Sequence, residues 1–269
     1  MKDYLLELTA KQTGQNAKRN TLREYLQAYA LRVMHDNGVF RSTAFLGGTA
    51  LRFLHNLPRY SEDLDFSLSK EGERGYEFAG MIAKVQREFE LAGYNVSAAV
   101  KETKTVQSAF VRFEGLLAEA GISPMKSQKF SIKIEIDTNP PQGAGLTTDI
   151  VNKYFPLSFL AYDLPSLFAG KTHALLSRKY TKGRDFFDLG WYLSRWKDLA
   201  PNMTLLTNAL KQTGWDKPLP NAGDWRKVLA KAVGQADWNT VRQDVGNFLE
   251  NPKDLEIFTQ ENVLRLLEQ

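Results

Sequence analysis

The stretch 45–68, FLGGTALRFLHNLPRYSEDLDFSL, decides the fold. An apolar run, Ala44-Phe45-Leu46, reads as a strand that breaks at Gly47-Gly48. Thr49-Ala50-Leu51-Arg52-Phe53-Leu54 then reads as a helix with a threonine at its N-terminus. The stretch closes on Ser61-Glu62-Asp63-Leu64-Asp65-Phe66, where two carboxylates alternate with apolar residues. Side chains two apart on a strand share a face. Asp63 and Asp65 therefore stand side by side, with Leu64 and Phe66 turned into a core.

Two carboxylates this close repel at neutral pH and call for a cation between them. Hard divalent ions such as Mg²⁺, or Mn²⁺, take oxygen ligands of this kind and complete their shell with substrate phosphates. Upstream, Gly47, Gly48 and Thr49 place small residues and backbone N–H groups at a helix start, a ready anion site. A phosphate cradle followed by a metal-holding Asp-x-Asp is the equipment for phosphoryl or nucleotidyl transfer.

GGTAL followed by Arg59-x-Ser61-x-Asp63-x-Asp65 resembles the first motif of the nucleotidyltransferase fold of the DNA polymerase β superfamily. The spelling GGTALR…R-x-S-E-D-L-D-F resembles the AbiEii/AbiGii toxin family, which also contains the MenT toxins. A second block, K-x-x-A-L-L-x-R-x-x-x-K-G-R-D-x-x-D-L, resembles the later half of that signature. It matches at Lys171, 174–176, Arg178, 182–185 and Asp188-Leu189.

The resemblance implies that Lys171 binds a nucleoside triphosphate and that Asp185 is a further essential acid. The physics agrees for the cations: Lys171 is a point charge suited to phosphates, and Arg178 can grip a phosphate bidentately. With Gly47, Gly48 and Thr49 they make the expected triphosphate site, while Arg59 and Ser61 orient the Asp-x-Asp segment or touch phosphate. By the same resemblance the chain is a toxin of a toxin–antitoxin system connected with phage defence. It transfers NMP from an NTP to an RNA acceptor, the 3′ end of tRNA by analogy, and is neutralised by an antitoxin encoded nearby. Rival readings are nucleotidylation of a protein hydroxyl, a non-catalytic nucleotide-binding module, and a nucleic-acid binder.

The superfamily carries a third carboxylate on a strand beside the Asp-x-Asp strand. Residues 129–137, KFSIKIEID, alternate as a strand should, with Lys133, Glu135 and Asp137 on one face and Ile132, Ile134 and Ile136 on the other. Glu135 and Asp137 both qualify as the third metal-holding acid; the flanking Ile134 and Ile136 favour Glu135. In two-metal logic Asp63 and Asp65 hold both ions, and Glu135 or Asp137 holds the one that activates the acceptor hydroxyl.

The remaining chain supports a soluble α+β protein. A nucleotidyltransferase-type mixed sheet with N-terminal helices is expected over 1–160, and a helical C-terminal domain completing the nucleotide site over 161–269. Hydrophobic residues are 43% and charged residues 25% of the 269, ordinary globular values. No apolar run reaches the length of a membrane span, the N-terminus lacks a signal-peptide core, and there is no cysteine. These features fit a cytoplasmic protein. The net charge of +4 tolerates a polyanionic partner, and residues 171–184 hold five Lys/Arg and no acid.

Helical periodicity predicts two N-terminal helices divided at Gly14 and ended by Gly38, with His35 on the surface. A further helix is expected over 73–92, strands over 94–100 and 106–113, and a loop or short helix over 115–128. Residues 142–162 read as a loop with short strands. Asp163 and Pro165 read as the start of a helical region, broken at Gly183. Helices at 203–213, 223–233, 237–249 and 260–268 follow, with Trp215, Trp225 and Trp238 expected to pack a helical core.

Overall fold

The computed structural model describes residues 1–69 and 76–269, so the first residues of the helix expected over 73–92 lie outside the described part. The chain forms two compact units: Met1–Asn56, Tyr60–Pro140 and Thr148–Ala161 make the first, and Leu57–Arg59, Pro141–Thr147 and Tyr162–Gln269 the second.

The first unit begins with helices α1 (Lys2–Ala10) and α2 (Gln15–Asp36), divided where expected at Gly14. Strand β1 (Thr43–Leu46) runs directly into α3 (Gly47–His55) and is followed by β2 (Asp63–Leu68), α4 (Phe78–Leu91), β3 (Val96–Lys101) and β4 (Val106–Phe113). A single turn, α5 (Leu116–Glu119), precedes β5 (Phe130–Asp137), β6 (Leu146–Asn152) and β7 (Pro156–Tyr162). The seven strands form one mixed sheet in the order β3-β4-β5-β2-β1-β7-β6. β2 lies parallel to β5 and β1 parallel to β7, while the β1–β2, β3–β4 and β4–β5 pairs are antiparallel.

Strict alternation along β2 and β5 makes one sheet face apolar. Leu64, Phe66, Ile132, Ile134 and Ile136 are all essentially inaccessible to water. Helices α2 and α4 cover this face: Tyr29 lies edge-on to Phe89 at 5.0 Å, and Phe89 edge-on to Phe113 at 4.8 Å. Burying each such side chain contributes about 1.5–3 kcal/mol, which fixes the register, because a one-residue slip would turn the set to solvent.

Behind α3 the core contains an ion cluster. Glu24 on α2 accepts from Arg52 on α3, from Lys153 Nζ at 3.1 Å and from Tyr154 Oη at 2.8 Å. Burial alone would raise the Glu24 carboxyl; the charges of Arg52 and Lys153 and the hydrogen bonds outweigh it and hold the group below its ordinary range. Arg52 also lies over the Tyr60 ring at 4.0 Å. Replacing Arg52 by Leu removes one side of a buried pair, so the urea midpoint at pH 7 should fall by the equivalent of about 3 kcal/mol. A loss below about 1 kcal/mol would show that Lys153 and Tyr154 alone satisfy Glu24.

The second unit is helical: α6 (Leu164–Ser177), α7 (Gly183–Arg195), α8 (Met203–Gln212), α9 (Trp225–Gln235), α10 (Trp238–Gly246), the single turn α11 (Asp254–Ile257) and α12 (Gln260–Glu268). Asp163 caps α6 by accepting from the Ser166 N–H at 2.9 Å, as its sequence suggests. Its core is aromatic: Phe168 stacks on Tyr192 at 4.3 Å and meets Trp225 edge-on at 5.6 Å. Gly183 is required by close approach, since a Cβ there would stand 1.9 Å from the Val241 carbonyl oxygen on α10.

Candidate active site

The first unit places Asp63 and Asp65 on the sheet face opposite the apolar one, both half-buried. Register decides which acid of β5 joins them. Asp65 is the direct partner of Glu135 and Asp63 of Lys133, whereas Asp137 lies beside Ser67. Glu135 is thus the acid brought next to the pair. Asp137 accepts from the Asn139 N–H at 3.0 Å, and burial, partly offset by that bond, raises its carboxyl above the ordinary range.

Lys133 was not foreseen as part of this cluster. Its ammonium meets Glu135 at 2.8 Å. Burial pulls it down, but the hydrogen bond and charge of Glu135, with Asp63 and Asp65 adding, carry it above its ordinary value. A positive charge therefore already sits in the shared field of the three carboxylates. Among the described residues no three acids or imidazoles are gathered into a ready ligand set. Two adjacent aspartates with a built-in cation beside them still fit a hard divalent ion, because oxygen donors of this charge are what such ions take.

The backbone around the pair is tightly set. Gly47 opens α3 with φ +82°, and a Cβ there would lie 2.3 Å from Asp65 Oδ2. The helix has no side-chain cap, so no side chain occupies the N–H groups of its first turn, where the Gly-Gly-Thr sequence suggested an anion site. Thr49 does not start this helix. It sits within the first turn, buried, and its hydroxyl donates to the Asp63 carbonyl oxygen. The threonine side chain therefore ties the start of α3 to β2. Gln27, 1% exposed, adds a second clamp by donating to the carbonyls of Glu62 at 2.8 Å and Ser61 at 3.3 Å. Gly47→Ala should displace the Asp65 carboxylate and lower turnover about 10²-fold, with only about 1–2 kcal/mol lost in stability. Turnover at saturating Mg²⁺, measured beside a thermal melt, checks the separation; equal losses in both would make Gly47 a folding residue only.

The second unit gathers Arg59, Lys171, Arg178, Asp185 and Asp188. Arg59 donates to Asp188 through Nε and Nη2, both at 2.6 Å, and is 1% exposed. Lys171 Nζ stands 2.8 Å from Asp188 Oδ2 and 3.3 Å from Asp185 Oδ1; Arg178 Nε is 3.0 Å from Asp185 Oδ2. The guanidinium of Arg59, expected to orient the Asp-x-Asp segment or to touch phosphate, is enclosed and bound to Asp188. Asp185, expected as an essential acid, faces two cations. Burial would raise the Asp188 carboxyl, but the charges of Arg59 and Lys171 and their hydrogen bonds keep it below its ordinary range. Three cations against two carboxylates leave one excess positive charge, carried on the more exposed members, Lys171 and Arg178.

A mixed sheet with paired aspartates beside a Gly-Gly helix start is the arrangement that the sequence led us to expect of a nucleotidyltransferase. The chain belongs to the AbiEii family, described as nucleotidyl transferase AbiEii toxin of a type IV toxin–antitoxin system, whose profile matches residues 29–260. Membership makes it a toxin-type nucleotidyltransferase with an NTP substrate and an antitoxin partner. MenT4, a nucleotidyltransferase toxin from Mycobacterium tuberculosis, has a similar fold, with TM-score 0.61 at 14% identity over 100% of this chain and 90% of that one. JHP933 from Helicobacter pylori is similar with TM-score 0.55 at 20% identity over 93% and 90% of the two chains. No curated protein matches the sequence. Among the described residues no helix is long and apolar enough to cross a membrane.

Proposed function

We propose that this chain transfers a nucleoside monophosphate from an NTP to a hydroxyl of RNA, the tRNA 3′ end being the acceptor that the resemblance implies. The observation that supports it most is the register of β2 and β5, with Asp65 beside Glu135 and Asp63 two residues earlier on the same face. Asp63 and Asp65 would hold divalent ions such as Mg²⁺, with Glu135 as the third acid. Ions bound there would supply charge neutralisation at the phosphates and lower the pKa of the acceptor hydroxyl.

The chain's own residues do the rest. In the first unit, backbone N–H groups of Gly47, Gly48 and Thr49 would receive phosphate oxygens; in the second, Lys171 and Arg178 carry the positive charge suited to phosphate. The acceptor oxygen attacks the α-phosphorus in line, the bond to the β-phosphate oxygen breaks, and pyrophosphate leaves. The hydroxyl proton passes to a carboxylate such as Glu135 or to water. Modified tRNA ends would halt translation, a role in phage defence that requires the antitoxin, in the cytoplasm where tRNA and NTP are found.

Incubation with each α-³²P-NTP, Mg²⁺ and total cellular RNA, beside Asp65→Ala, tests the reading. Label in the tRNA band, lost in the variant, is the expected result and names the base. Label in a protein band would replace the RNA acceptor by a protein hydroxyl. No label with any NTP would overturn the transfer proposed here.

A further inference from the structure

Trp215 was expected to pack a helical core, but unlike Trp225 it stays half-exposed and only donates Nε1–H to the Pro218 carbonyl at 3.3 Å. Its ring faces a cavity of about 520 Å³ within the second unit, between the end of α6, the start of α7 and α9. Arg178, Lys179, Lys217 and Lys231 line this cavity with the aromatic rings of Tyr180 and Trp215, and among the described residues no carboxylate lines it. Lys217 lies over the Trp215 ring at 5.0 Å. Arg178 Nη1 donates to Tyr180 Oη at 2.8 Å, while Tyr180 remains 65% exposed.

The volume is that of a small-ligand site. A purely apolar ligand would not need the three lysines, and an acidic ligand without rings would not need two aromatic plates. Cations that track phosphates beside rings that stack on bases are the equipment of single-strand nucleic-acid binding. We infer that this cavity takes an unstacked, phosphate-flanked nucleotide from the single-stranded end of an RNA, with its base against Tyr180 or Trp215 and its phosphates on Lys179, Lys217 and Lys231. The inference deepens the proposed function and rests on its RNA acceptor. An NTP shares the same base-and-phosphate chemistry, so the test separates the two sources.

The test titrates the full chain into a short fluorescein-labelled single-stranded RNA ending in CCA, read by anisotropy at several salt concentrations. A parallel arm measures NTP binding. The variants are Lys179→Gln/Lys231→Gln and Tyr180→Leu, each checked by thermal melting; the lysine pair lies on the surface and carries the test if Tyr180→Leu misfolds. The lysine pair should weaken RNA about ten-fold and lower the salt slope by about 1.4, from about 0.7 per phosphate contact. Tyr180→Leu should also weaken RNA about ten-fold through lost stacking. In the lysine pair, NTP affinity should stay within about two-fold. Unchanged RNA affinity and slope in the variants, with wild type binding RNA, would overturn the cavity's role while leaving the RNA acceptor standing. Weakened NTP binding with RNA unaffected would assign the cavity to NTP and overturn the inference. A wild type that neither binds nor labels RNA would remove both together.

Discussion

Asp65→Asn lowers nucleotidyl transfer on the order of 10³-fold while the protein stays folded. A divalent ion at a reacting phosphate contributes several kcal/mol of transition-state stabilisation, and each 1.36 kcal/mol is a factor of ten. Asp65 occupies the centre of the carboxylate face, in register with Glu135 on one side and Leu46 on the other. Its neighbour Asp63 is anchored by its backbone through Thr49, so it cannot simply slide into the vacated role. Asn keeps the volume pressed against Gly47 and removes only the charge, which separates chemistry from packing. The expected signature is a fall in turnover with the melting temperature held within a few degrees. Added Mn²⁺, which accepts a weaker oxygen donor set, should restore part of the loss. Turnover within about ten-fold of wild type at saturating Mg²⁺ would remove Asp65 from the metal site.

How much of this was legible in the sequence depends on range. The Asp-x-Asp strand and the 130–137 strand were readable because period-two alternation is local and one face is fully buried. Residues 142–162 read as a loop with short strands, and the strands prove to be two full seven-residue members of the sheet, β6 and β7. β6 is the last strand of the sheet, its burial alternates only weakly, and Ile150 is 80% exposed, so its apolar signal is diluted. The choice between Glu135 and Asp137 needed the register with β2, a fact that neither strand carries alone. Lys133 was overlooked because a lysine between isoleucines looks like an ordinary solvated position. The role of Asp188 could not be read at all. Its partner Arg59 lies 129 residues away, and the motif signature supplies the aspartate but not what it meets.

That pair carries the other large effect. Arg59→Leu leaves the Asp188 carboxylate fully buried with Lys171 as its remaining cation, and should cost about 3–5 kcal/mol. Asp188→Leu removes both carboxylate oxygens that the Arg59 guanidinium donates to. The double replacement should recover most of the loss, since a buried ion pair exchanged for apolar side chains is often near neutral, and the cycle isolates the coupling. Acid adds an independent readout. The Asp188 carboxyl is lowered on folding from an unfolded value of about 3.9. Its contribution is therefore complete above about pH 4 and fades as pH falls through the folded value, because below it the unfolded and folded states bind the proton alike. Urea midpoints between pH 7 and pH 2 should fall less steeply with acid in Asp188→Asn than in wild type. Parallel curves would show that the carboxylate contributes nothing through its charge. Lys171 adds the functional side of the argument. It is held between Asp185 and Asp188, so loss of Asp188 frees one of its two anchors. KM for NTP should then rise even in molecules that remain folded, whereas a purely structural pair would change only the folded fraction and leave KM unmoved.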